Sequence, residues 1–130
     1  MKQKLLSILT ADSELVSLVG KIKSADKVRG NIPCIFSNTP SSWDTLPAVV
    51  FLEKDGGDAV FADDVCIART VSIQIDVYAK TSVTKIFDRV SLLLRQMGFI
   101  STRVMDVPEP TYKHRLGIFN ITVYDDEEEN

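Results

Sequence analysis

Residues 71–79 read Val71-Ser72-Ile73-Gln74-Ile75-Asp76-Val77-Tyr78-Ala79, and a second informative stretch runs from Ser82 to Met97. In the first, Val71, Ile73, Ile75 and Val77 alternate with Ser72, Gln74, Asp76 and Tyr78. A period of two puts one apolar and one polar face on an extended chain, so this is a strand, and its pattern extends back to Ile67. The polar face carries Thr, Ser and Gln rather than many Lys or Glu, which suits either water or another subunit. In the second stretch Val83, Ile86, Phe87, Val90, Leu93, Leu94 and Met97 recur at helical spacing as one stripe. Lys85, Asp88, Arg89, Arg95 and Gln96 take the other side. Thr81 or Ser82 can cap the start, and Gly98 can end the helix. The strand face needs a cover and the helix needs a floor, so the helix is expected on the sheet.

Working outward, Leu5, Ile8, Leu9, Leu15, Val16, Leu18 and Val19 give an N-terminal helix with a kink at Thr10–Asp12. Gly20 sits where a left-handed terminal residue is wanted. Residues 21–46 carry Pro33, Pro40 and a Ser-Asn-Thr-Pro-Ser-Ser run that breaks any helix, with Cys34-Ile35-Phe36 as a short strand. At this length the segment is expected to be a partly ordered edge or a functional loop. Pro47 opens a buried strand, Ala48-Val49-Val50-Phe51-Leu52. Glu53 to Asp64 has the composition of a turn and reads as a mobile hairpin arm. After the helix, Phe99–Val107 and Tyr112–Tyr124 read as two strands separated by Pro108 and Pro110. This order predicts an α+β single domain: a mostly antiparallel sheet with two helices, the N-terminal one and Ser82–Met97, on one face. Residues 1–124 form the domain, and 125–130 an acidic, disordered tail.

Composition agrees with one ordinary globular domain. The 130 residues are 45% hydrophobic and 25% charged, which excludes collagen-like, low-complexity and disordered chains. A chain of this size buries enough surface to fold without a disulfide or metal. Its two cysteines, Cys34 and Cys66, are too few for a disulfide framework and are expected to be reduced thiols. Apolar runs reach four or five residues, against the ~20 of a spanning helix, so no membrane segment is expected. The opening Met1-Lys2-Gln3-Lys4 with a short apolar run is read as a mature cytoplasmic start. The net charge of −3 argues against a dedicated nucleic-acid binder. Five acids from Asp125 to Glu129 account for the sign, and the rest of the chain is about +2.

No catalytic constellation is legible. His114 is the only histidine, and it stands between Lys113 and Arg115, a poor setting for a general base. It reads as a surface or interface residue. There is no phosphate-binding glycine loop and no Cys-x-x-Cys pair. Asp55, Asp58, Asp63 and Asp64 do not follow calcium-loop spacing and no Glu closes them. The sequence therefore predicts no enzyme activity, no cofactor and no metal. Trp43, in a polar loop, and Tyr112, beside Pro110, are candidate contact anchors. Val60 and Phe61 are apolar residues in an otherwise acidic arm. The candidate interface set is thus Trp43, Asp55, Asp58, Val60, Phe61, Asp63, Asp64 and Tyr112.

Three phrases in order resemble a family of small phage proteins. They are Leu9-Thr10-Ala11-Asp12 through Leu18-Val19-Gly20, then Leu46-Pro47 before Ala48-Val49-Val50-Phe51, then Ile75-Asp76-Val77-Tyr78-Ala79 before a helix. Leu116 to Tyr124 supplies a closing strand. The ordered set is similar to the tail-completion, or tail-to-head joining, proteins of long-tailed bacteriophages and prophages. What the resemblance implies is a non-enzymatic virion assembly protein, a tail terminator. Such proteins form a ring, typically a hexamer, that caps the tail tube and meets the head connector. The implied partners are copies of itself, the tail tube protein and the head connector, with DNA passing through unbound. The implied location is the host cytoplasm during assembly and then the tail or neck of the virion. A head-closure protein of the same neck and a small α+β binding or regulatory module are the alternative readings.

Overall fold

The computed structural model describes residues 2–23, 31–37, 46–54, 59–62 and 65–124. Its spine is one long strand, Val65–Ala79. Helix α1 (Lys2–Ala11) and helix α2 (Ser13–Leu18) precede β1 (Lys21–Lys23), β2 (Asn31–Pro33), β3 (Ile35–Ser37), β4 (Ala48–Lys54) and β5 (Ala59–Ala62). Then come β6 (Val65–Ala79), helix α3 (Thr84–Met97), β7 (Ile100–Val107) and β8 (Lys113–Tyr124). The main sheet has the order β3-β4-β6-β8-β7, with β5 continuing beside β6 where β4 leaves it. Every pairing is antiparallel except β3 with β4. The fold is therefore α+β, as the alternation and the helical stripe predict.

The register explains the core. Phe51, Ile75, Gly117 and Val104 stand side by side across β4, β6, β8 and β7. The next rows bring in Val49 and Val77 on one side and Ile73 and Phe119 on the other. Helix α3 covers this face with Ile86, Phe87, Val90 and Leu94, and α1 and α2 add Leu5, Leu9 and Leu15 to the same cluster. Gly117 makes room for α3: a Cβ there would lie 2.6 Å from Phe87 Cζ and 2.9 Å from Phe119 Cε1.

Several boundaries differ from the sequence reading. The kink expected at Thr10–Asp12 is a full break into two helices: Asp12 leaves helical geometry and accepts the Leu15 N–H at 2.9 Å as the cap of α2. Helix α2 ends on an extended Val19, not on a left-handed Gly20. Gly20 serves the sheet end instead, donating to Pro47 O and accepting from Cys34 N. Val83 occupies the N-cap position of α3 without a side-chain bond, while Ser82 Oγ accepts the Thr84 N–H. Gly98, at φ 106°, ends α3 as expected. The segment after Gly20 contains a small antiparallel pair, β1 with β2, and β3. Glu53 and Lys54 are not turn: they pair with Ile73 and Ser72, because β6 is long enough to keep them in the ladder. Residues 59–62 of the expected arm are likewise a strand on β6, with a register shift between Val60 and Phe61. Tyr112 precedes β8 rather than opening it. The acidic segment 125–130 lies outside the described residues.

Candidate functional site

The sheet face turned away from the helices carries a polar cluster. Tyr78 of β6 stands directly across from His114 of β8, and Asp76 is one step along the same face. Asp76 is nearly buried. Its Oδ2 accepts from Gln74 Nε2 at 2.9 Å, and its Oδ1 lies 2.8 Å from His114 Nε2. The Tyr78 ring stacks on His114 at 4.3 Å, and Tyr112 meets Tyr78 edge-on at 5.7 Å. Burial, with help from Asp76, Tyr112 and Glu109, pushes the Tyr78 phenol up to about 12. Burial and then the nearby Glu109 charge raise Tyr112 as well.

This geometry corrects the surface reading of His114, whose side chain is only 10% exposed. Lys113 and Arg115 flank it in sequence, but successive strand residues point to opposite faces. Arg115 lies on the helix side, bonded to Asp106 Oδ1 at 2.8 Å with its guanidinium over the Phe87 ring. A cleft of about 410 Å³ lies between the start of α3 and the β7–β8 turn, and Ser82, Asp106, Glu109, Tyr112 and His114 are among its walls. Among the described residues, no three of His, Cys, Asp and Glu are grouped to hold a metal ion.

A second surface is the β7 edge. This strand has β8 on one side and no strand on the other among the described residues. Residues 100–106 are all exposed. Ile100 is 69% exposed, Val104 49% and Met105 40%, with Leu92 of α3 at 43%. Val104, Leu92, Ser101 and Arg95 line a shallow groove between α3 and the strand. An edge strand offers unpaired N–H and C=O groups to an incoming strand; here exposed apolar residues alternate with Arg103 and Asp106, and the register shifts between Ser101 and Arg103.

Of the candidate interface residues, Trp43, Asp55, Asp58, Asp63 and Asp64 lie outside the described residues. Val60 and Phe61 lie in β5, opposite Ala68 and Cys66. Tyr112 packs edge-on against its own chain's Tyr78. The sequence reading passed over both the β7 edge and the Asp76–His114 pair. The apolar residues of 100–105 were its available signal for the edge. The pair needed the β6–β8 register.

A scan against models of known protein families finds no match, and a search of curated proteins finds none either. Among the described residues, no helix is long and apolar enough to cross a membrane.

Proposed function

We propose that this protein is a ring-forming tail terminator, a tail-completion protein that caps the tail tube of a long-tailed phage or prophage and joins it to the head connector. The observation that supports it best is the β7 edge, with no strand beyond it among the described residues and with Ile100, Val104 and Met105 exposed. A ring needs each subunit to offer one surface to a different surface of its neighbour, and an open apolar strand edge is suited to that task. The role needs no catalysis and no cofactor. It agrees with the ordered phrases around Asp12, Pro47 and Asp76 that resemble that family. The protein would work in the host cytoplasm during assembly and remain at the neck of the virion.

The test is removal of the gene from the producing phage, followed by electron microscopy of the particles. Unjoined heads with overgrown tails are expected, rescued by the wild-type protein but not by Val104→Lys. Normal virions without the protein overturn the reading.

A further inference from the structure

His114 lies between two carboxylates that it cannot satisfy together while neutral. Asp76 Oδ1, 2.8 Å from Nε2, is an acceptor, so the ring hydrogen belongs on Nε2. A neutral imidazole then has a bare Nδ1. That atom is buried and has no hydrogen-bond partner. It faces Glu109 Oε1 at 3.7 Å, another acceptor and too far for a hydrogen bond. Lone pair therefore meets carboxylate across the mouth of the cleft. A proton on Nδ1 turns that opposition into a charge-assisted hydrogen bond.

We propose that His114 is a proton-operated clasp on the β7–β8 turn: protonation at Nδ1 draws Glu109 into contact and ties residues 108–112 to the back of the sheet. Glu109 stands between Pro108 and Pro110 and is 27% exposed, so it has room to move inward. Burial and then Glu109 raise the Tyr112 phenol, and the Tyr112 ring meets Tyr78, so the turn and the stacked rings lie together. The groups facing His114 are Asp76 and Tyr78 from β6 and Glu109 and Tyr112 from the turn. Val107 is its cross-strand neighbour on β7. Across the cleft, the start of α3 contributes the uncharged Thr81, Ser82, Val83 and Thr84. Asp106 and Arg115, bonded to each other, and Lys113 are the other charged groups that line this cleft. The carboxylate that faces Nδ1 is that of Glu109, 3.7 Å away. The clasp is independent of the assembly role.

The test is solution NMR of the full chain from pH 8 to pH 5, following the His114 ring nitrogens and the amides of Glu109, Thr111 and Tyr112. The turn amides are expected to shift together with the His114 ring nitrogens. In Glu109→Gln the charge that faces Nδ1 is gone, so ring and turn should no longer respond together. The turn response should vanish. Three results overturn the clasp: Nδ1 stays bare to pH 5, the turn amides ignore the imidazole titration, or Glu109→Gln leaves the turn response unchanged. Glu109 lies in a partly exposed turn, so its variant tests the idea without disturbing the core.

Discussion

Asp12 and Arg89, 77 residues apart, meet in a two-point contact that fastens the N-terminal helices to the long helix. Arg89 Nε donates to Asp12 Oδ2 at 2.8 Å, and Nη2 donates to Oδ1 at 2.7 Å. The same carboxylate caps α2 through the Leu15 N–H. One side chain thus starts a helix and fixes where that helix docks. Asp12→Ala should destabilise the protein by about 1–2 kcal/mol, the usual range for losing a cap. Asp12→Asn keeps the cap acceptor and should lose less. In an Arg89→Ala background Asp12→Asn should become nearly neutral, because the charge it removes no longer has its partner. Urea titrations of the four proteins check this, and equal losses for Asn in both backgrounds would show that the contact is idle.

The same pair sets an acid dependence. The Arg89 hydrogen bonds hold the Asp12 carboxyl below its ordinary value of 3.8. A depressed folded-state value stabilises the protein above the unfolded value, and the gain disappears as pH falls through the lower one. Unfolding measured from pH 5 down to pH 2 should therefore steepen below about pH 4 in the wild type. The step should be small, since Arg89 is part-exposed and solvent screens it. It should be absent in Asp12→Asn.

Gly117 offers a packing test. With Phe87 Cζ 2.6 Å from the place of a Cβ, Gly117→Ala must push the ring aside. Overpacking of this kind typically destabilises by about 1–3 kcal/mol. Phe87→Leu in the same chain should recover part of the loss, since it shortens the side chain that collides. Thermal unfolding of the single and double variants decides it. If Gly117→Ala unfolds like the wild type, Phe87 does not lie where it is described.

The sequence made the sheet and the long helix legible because both periods were clean. Val71 to Val77 could only be a half-buried strand, and Val83 to Met97 could only be an amphipathic helix. Boundaries were harder where pairing overrode composition. Glu53 and Lys54 look like turn residues, yet β6 holds them in register with Ile73 and Ser72. His114 misled for a different reason. Its charged neighbours in sequence are not its neighbours in space, because a strand sends alternate residues to opposite faces. Asp76, 38 residues away, was invisible until the β6–β8 register placed it beside the imidazole. The β7 edge could be read as a strand, but strand order, which local pattern does not encode, made it an edge.

Tyr78 provides the last prediction, at alkaline pH. Its phenol is pushed up to about 12, first by burial and then by Asp76, Tyr112 and Glu109. In the unfolded chain it should titrate at the ordinary 10. Between those values the unfolded state gives up a proton that the folded state retains, so the linkage favours unfolding as pH rises. The stabilising contribution is fully present below pH 10 and is lost as pH climbs toward 12. Tyr112 is raised in the same direction, so it adds to the same slope. Tyr78→Phe keeps the ring that stacks on His114 but has no proton to lose. Its stability should therefore fall less than the wild type's between pH 9.5 and pH 11.5, measured by urea unfolding at fixed ionic strength. Ultraviolet titration of the folded protein provides a second reading. The chain has three tyrosines, and the late-ionising step near pH 12 should disappear in Tyr78→Phe. If the variant and the wild type lose stability in parallel, the Tyr78 hydroxyl is not in the buried, carboxylate-facing position assigned to it.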